Sequence, residues 1–545
     1  MWSKIWNAIR SVIEKMIGVK SVEQALHIQP VMSNKMEKAI ELWDDMYRDE
    51  APWLHEPTNA NPNKIASLGI ASFIASEKAR TATIEMKSVI TEPNSIATDA
   101  DRNVKETDIP TNRAEYLNKQ YQLHLIPHIR RQLEYGIAKG GLVIKPYVYD
   151  NTELQFIFCQ ADEFFPISFD TTGKMTEAVF TEKFTDKNNV YTRLEYHKLD
   201  LANKKVTIIN KAFRTIYRDT TARDNELGTE IDLTSVEQWK DIQPVVEIQN
   251  VNRLLFAYFK MPESNTIDPT SPLGVSGFSR AVSLIKEADL QYSRMLWEYE
   301  GGEMAIDIDR DALKTVERTI NGKKELVEEP NKLQSRLFRK IDLGTEQTYD
   351  VFAPNLRDSN YINGLNNILM RIEDVCGISR GTMSDITRSE AKTATEMLIL
   401  RQRSYATNND IQKALQKALD DTIYVMDIYS TLYNLAPMGE YNVSYEWDDS
   451  LISSPEEELQ RRMMLRQSGI ESRLNLRMWY YGETEEQAML QLARVDQEQL
   501  QQAQLQALST GLLQQATGGG QDTKGNSDNK TGQQEDQNKN NKDVE

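Results

Sequence analysis

The chain has 545 residues, enough for about three ordinary domains, and 39% of its side chains are apolar, enough to fold. Its 64 basic and 82 acidic side chains leave a net charge of −18, without the basic face from which a tight, passive nucleic-acid binder draws its affinity. Cys159 and Cys376 are its only cysteines and lie far apart, which supports neither a disulfide framework nor a zinc site and points to a reducing cytoplasm; no apolar run of 18 residues and no signal-peptide pattern occurs, so the chain reads as neither exported nor membrane-spanning.

At the start, Trp2, Ile5, Trp6, Ile9, Ile13, Met16 and Ile17 recur at helical spacing opposite Lys4, Arg10 and Lys15. This reads as a terminal helix packed on its own protein or a neighbouring subunit, with a membrane-surface helix as the alternative. Helices are predicted from about Asn34 to Tyr47 and from about Asn63 to Ser88. From Gly140 to about Asn250 the period shifts towards two, in runs such as GLVIKPYVYD and YTRLEYHKL separated by turns at Asp170 to Lys174 and Ala202 to Lys205, which predicts an antiparallel, mainly β region.

Phe278, Val282, Ile285, Ala288, Tyr292, Met295 and Tyr299 then fall on one helical stripe, ended by Gly301 and Gly302. A second stripe, Ile362, Leu365, Leu369, Ile372 and Cys376, lies on a helix from about Arg357 to Cys376 that stops at Gly377. Between them Glu303 to Pro354 is a self-contained mixed excursion, with a strand at MAIDID and a hairpin turn at Asn321 and Gly322. After the polar loop ISRGTMSDITRSEA no Gly or Pro occurs until after Ala436. One helix over most of that stretch would be about 60 to 70 Å long, with a bend predicted at Thr407 to Asp410. Its apolar stripe, from Met397 and Leu400 through Ile411, Leu415, Leu419 and Met426 to Tyr429 and Tyr433, reads as core or subunit interface. A capped helix follows, with Ser454 as N-cap, Pro455 in the first position and Gly469 as stop, then helices over Ser472 to Tyr481 and Thr484 to about Gln515. Beyond Ala516 the composition is that of a disordered tail.

No motif for catalysis survives inspection. The phosphate-cradling GxxxxGK[ST] is missing, so the chain is not a P-loop ATPase motor. GVSGFS at Gly274 to Ser279 breaks the spacing of a nucleophile elbow and reads as a loop entering a helix. DIDRD at Asp307 to Asp311 lacks the sixth-position glycine and twelfth-position glutamate of a calcium loop. His124 and His128 are four apart but straddle Pro127 and lack an HExxH glutamate, so they read as ordinary histidines. Arg380, Arg388 and Lys392, in or beside the polar loop, are the only local charges to connect with DNA; a solvated loop is the bland alternative.

Several segments together resemble the portal family of long-tailed phages of Gram-positive bacteria, the group typified by the SPP1 portal. They include GGLVIKPYV, ADEFFPISFDTTGKMTEAVF, PLGVSGFSRAVSLIKEADLQYSRMLWEYEGG, CGISRGTMSD, KTATEM, SPEEELQRRMMLRQSGI and MWYYGETEEQA, in order between about Ala71 and Val495. The resemblance implies an α+β, mainly helical portal fold: an N-terminal helical part of a wing (1–90), a β-rich wing (91–270), two stem helices (271–301 and 356–377), a mixed clip (302–355), a tunnel loop (378–391), a long helix with wing return (392–453), a helical crown (454–515) and a disordered tail (516–545).

It also implies a homo-oligomeric ring of about twelve subunits at one capsid vertex. Double-stranded DNA would pass through its channel in packaging and ejection, with the terminase motor and later head-tail connector or neck proteins docked on it and major capsid and scaffold proteins around it. The setting is the virion, with the host cytoplasm during assembly, and no membrane is required. In this reading there is no catalytic, cofactor-binding or metal residue; Phe278, Ile285, Tyr292, Met295, Ile362, Leu365, Leu369 and Ile372 belong to the stem helices; and Arg380, Gly381, Thr382, Ser384, Arg388, Ser389 and Lys392 to the loop facing DNA. A membrane-associated or other head scaffold, or a packaging enzyme, is the alternative.

Overall fold

The computed structural model of the chain describes residues 19–28, 31–55, 65–93, 95, 98–150, 152–186, 189–216, 227–309, 314–320, 323–329, 338–341, 349–385, 394–447 and 455–517. The amphipathic stretch before Val19, the N-cap at Ser454 and the tail after Thr517 lie outside these residues. Internal contacts divide the chain into two units, 1–452 and 453–545.

In the first unit, helix α1 (Val19–Leu26) precedes α2 (Asn34–Tyr47), which starts where its cap dictates: Ser33 Oγ accepts from Met36 N–H at 3.4 Å. Met36, Ala39, Ile40, Trp43 and Met46 fall on its buried face. The helix predicted from Asn63 to Ser88 is shorter. Among its described residues only α3 (Ile70–Thr83) is helical, and Met86–Thr91 forms strand β1. The Val-Ile-Thr end of that segment is β-branched, and its antiparallel partner is supplied from far along the chain, with Met86 opposite Trp447 and Thr91 opposite Asn442. Next come α4 (Arg113–Gln120), one π-helical turn at Tyr121–Leu125, and α5 (Ile126–Lys139). Residues 113–139 are therefore helical, and the β-rich region begins at Gly141, not at 91.

Two antiparallel sheets follow. Strands β2 (Gly141–Tyr149), β3 (Glu153–Gln160) and β10 (Ala257–Lys260) form one, in the order β10-β2-β3. The other holds β4 (Phe164–Phe169), β5 (Met175–Asp186), β6 (Asn189–Asp200), β7 (Lys205–Ile216) and β8 (Thr229–Ile231) in sequence order, with β9 (Val245–Gln249) also paired to β7. The predicted turns are in place: Asp170 Oδ1 accepts from Thr172 and Lys174 N–H with Gly173 at φ 78, and Lys204 takes φ 48. Alternation buries both faces of the larger sheet. Phe165, Val179, Leu194 and Phe213 pack with Val22 of α1, while Phe164, Ala178 and Phe180 pack with Val143 and Phe256. Between the sheets Lys145 pairs with Glu195, which also meets Arg193 and His197. Burial pushes the Glu195 carboxyl up, but Lys145, His197 and Arg193 outweigh it and hold the group well below the usual carboxylate range.

The long helix α8 (Ala394–Leu432; α6 and α7 belong to the site below) has 39 residues, roughly 58 Å at 1.5 Å per residue. It runs unbroken through Thr407 to Asp410, where a bend is predicted. The physical reason is tertiary: Asn408 Oδ1 accepts from Thr81 Oγ at 3.0 Å instead of competing for the helix backbone, and Ile411, Leu415, Leu419 and Met426 are fully buried on the same helix. Strand β16 (Asn442–Trp447) then returns to β1.

The second unit holds α9 (Pro455–Gln467), α10 (Arg473–Tyr481) and α11 (Glu485–Thr517). Gly469 at φ 78 ends the turn after α9, Ser472 Oγ accepts from Asn475 N–H at 3.0 Å, and Gly482 takes φ 64 after α10.

Candidate functional site

Helices α6 (Val282–Gly301) and α7 (Asp358–Cys376) lie antiparallel. Glu298 bonds Arg357 at one end, a Cβ on Gly364 would approach Gln291 midway, and Leu284 shares a groove with Ile368 and Arg371 at the other. Phe278 precedes α6, separated from it by a 3-10 turn at Ser279–Ala281, and is fully buried. We call the end near Phe278 the root and the end near Arg357 the tip.

The root belongs to the main core. Phe278, Ile285, Ala288, Ile372 and Cys376 are buried in it, and burial pushes the Cys376 thiol up to about 12. Asp289, 2% exposed, accepts from Trp53 Nε1 and from Leu68 N–H, each at 3.0 Å, and its carboxyl is raised by burial. Midway, Tyr292, Met295, Ile362, Leu365 and Leu369 are half-buried. At the tip Trp297 is 56% exposed, and Leu296, Tyr299, Met304 and Leu356 also face solvent.

The tip opens into the excursion. Strand β11 (Ala305–Asp309) pairs in parallel with β14 (Phe338–Ile341) and antiparallel with β15 (Tyr349–Phe352); β12 (Lys314–Ile320) and β13 (Lys323–Glu329) form a hairpin whose innermost partners are Ile320 and Lys323. The turn predicted at Asn321 and Gly322 falls between them, outside the described residues.

At the root, Gly377 ends α7 at φ 68, where a Cβ would come within 2.4 Å of Thr407 Oγ1. A glycine is required both for the left-handed turn and for that approach to α8. The loop that follows is held closely as far as Asp385. Arg380 makes a two-pronged ion pair with Asp374, Nε to Oδ1 at 2.9 Å and a terminal nitrogen to Oδ2 at 2.6 Å. Glu373, fully buried, accepts from Gly381, Met383 and Ser384 N–H and from Ser384 Oγ. Thr382 Oγ1 donates to Ser379 O at 2.7 Å. Arg388, Ser389 and Lys392 lie outside the described residues.

Sequence reasoning missed Glu373, Asp374 and Asp289. A signal for the first two was present: acids in the last turn of a helix oppose its dipole and need donors from elsewhere.

The other motifs resolve into packing. Ser276 of GVSGFS is fully buried, and a Cβ on Gly274 would stand 2.0 Å from Gly140 O, so two backbones touch there. Lys78 donates to Gly277 O at 2.8 Å and to Glu263 at 2.9 Å. His124 lies in the π-helical turn near Gln155, its pKa lowered by burial, and His128 is exposed. Asp307 and Asp309 lie on strand β11. Among the described residues no group of three or more His, Cys, Asp or Glu could hold a metal ion, and no helix is long and apolar enough to cross a membrane.

The family model described as phage portal protein, SPP1 Gp6-like, matches residues 37–503. The chain belongs to that family. Portal membership agrees with the mixed α+β architecture, and the family is a structural one, not an enzymatic one. The portal match spans both helices of the pair, the excursion between them, the loop at their root and most of the second unit. No curated protein matches the chain.

Proposed function

We propose that the protein is one subunit of a ring of about twelve that forms the DNA channel at one capsid vertex. In this reading α6 and α7 are the stem, the excursion between them is the clip that docks the terminase and later the connector or neck proteins, and 378–391 is the loop facing DNA. The second unit is the crown, and capsid and scaffold proteins surround the ring.

One observation carries the reading beyond family membership. The antiparallel pair α6 and α7 is built into the core at its root and leaves Leu296, Trp297, Tyr299, Met304 and Leu356 in solvent at its tip. Apolar side chains clustered at one end of a helix pair call for a partner surface, and a ring supplies it by repeating the same contact at every subunit. The net charge of −18 fits a conduit. Strong cationic contacts on every subunit would brake a polyanion that must slide both ways.

Native mass measurement or particle images of the purified protein test the ring. Closed rings are expected, and a stable monomer at micromolar concentration overturns the proposal. The channel loop has its own test: replacing Arg380, Arg388 and Lys392 with glutamine should spare ring assembly yet alter DNA retained per head. Normal packaging and retention would remove these charges from the mechanism.

A further inference from the structure

Helix α7 does more than end at Gly377. The chain turns there and runs back beside its own helix, and two side chains on that helix, Asn366 and Glu373, grip the returning backbone. They are seven residues apart, two turns, and so share one face of α7. Asn366 makes a reciprocal pair with Asp385: its Oδ1 accepts from Asp385 N–H at 2.7 Å and its Nδ2 donates to Asp385 O at 3.1 Å. Glu373 takes the stretch before it. Oε1 accepts from Met383 N–H at 2.6 Å and Ser384 N–H at 2.9 Å, and Oε2 accepts from Gly381 N–H at 3.3 Å and Ser384 Oγ at 2.6 Å. Ser384 Oγ in turn accepts from Gly381 N–H at 3.2 Å.

The chemistry of this arrangement is unusual for a loop. A carboxylate in the last turn of a helix faces the negative end of the dipole, and one that is fully buried also loses its water. Four donors from one short segment compensate both penalties, and charge-assisted hydrogen bonds are the stronger kind. Neither a side-chain network on the surface nor the packing of Ile378 would hold the backbone of 381–384 in a set geometry, and Glu373 does so mainly through the main-chain N–H groups of Gly381, Met383 and Ser384, which every residue but proline supplies.

We infer that Glu373, assisted by Asn366, is a positioning residue that makes 378–385 a rigid continuation of α7. Any shift or rotation of α7 is then passed to the chain beyond Asp385 rather than absorbed at Gly377. The functional half of this inference rests on the proposed reading of 378–391 as the channel loop.

Hydrogen exchange of the full-length protein, read by mass spectrometry, tests the geometry without DNA. In the unaltered protein the amides of Gly381, Met383 and Ser384 should be protected like those of the α7 backbone; exchange at the rate of a free peptide overturns the inference without need of a variant. Glu373→Gln sets an amide NH2 against donors that need an acceptor, and should speed exchange at 381–384 on the order of tenfold or more while α7 and ring mass stay unchanged. Unchanged exchange at 381–384 in that variant also overturns it. The second readout is DNA retained per head with E373Q rings, which a role confined to stability would leave normal once rings have assembled; a loss is expected. Faster exchange with normal DNA content would leave the positioning of the loop standing and overturn the channel reading of 378–391.

Discussion

The root and the tip of the α6–α7 pair are built from the same kinds of residue and treated in opposite ways. At the root an aromatic, Phe278, is fully buried and a carboxylate, Asp289, is buried with two donors. At the tip an aromatic, Trp297, is 56% exposed and a carboxylate, Glu298, meets an exposed arginine, Arg357. The subunit's own folding thus has a stake in the root, and the tip contributes little to it. Apolar patterning along a helix says which face seeks cover, and only the surroundings decide whether cover comes from the same chain.

Substitutions can break this contrast. The largest effect belongs to Phe278→Ala, which should cost about 3–5 kcal/mol of subunit stability through the cavity it leaves, measured by denaturant unfolding. A loss under about 1 kcal/mol would mean the root is not core.

Next is Asp289→Asn, which keeps one acceptor and turns an NH2 towards the other donor, and should cost about 1–3 kcal/mol near neutral pH. Its pH dependence carries a sign. Burial raises the folded carboxyl above its ordinary 3.8, so the native state holds this proton more tightly than the unfolded chain does. Stability from this group therefore rises as pH falls through the folded pKa and levels off below about 3.8. The unfolding free energy of the unaltered protein minus that of the variant should grow on acidification, and a flat difference from neutrality to pH 4 would contradict the burial of this charge.

Trp297→Ser should change subunit stability by less than about 0.5 kcal/mol yet lower the fraction of rings seen in native mass spectra. Equal ring content would place the subunit contact elsewhere. Arg357→Gln sits at the bottom of the scale. It removes an exposed partner of Glu298, and no measurable change in unfolding is expected.

How much of this was legible varied with the range of the determinants. The α2 boundaries and the stops at Gly377 and Gly469 rest on a cap and on left-handed glycines, which are local and readable. The start of strand β1, Met86 to Ser88, was misread as helix because its partner β16 comes from the far end of the unit, beyond any window of the sequence. The bend expected at Thr407 to Asp410 failed for the same reason, since Thr81 supplies what Asn408 needs. At the candidate site the two helices and the start of the loop after Gly377 could be placed from periodicity and punctuation. Glu373 was legible only as an acid in the last turn of α7 that needs donors; which donors it finds was not, because three of the four are backbone amides, and backbone amides have no letter in the sequence.

The excursion between β11 and β15 leaves from one helix end and returns at the other, and those two ends lie side by side, with Arg357 2.6 Å from Glu298. Chain departing and re-entering at neighbouring points closes a loop whatever its length, and the entropy of that closure grows only slowly with added residues. The tip is therefore a grafting point. A longer, shorter or unrelated insert between Gly302 and Leu356 would leave Phe278, Asp289 and Glu373 undisturbed, because none of the contacts that hold these three reaches into the excursion.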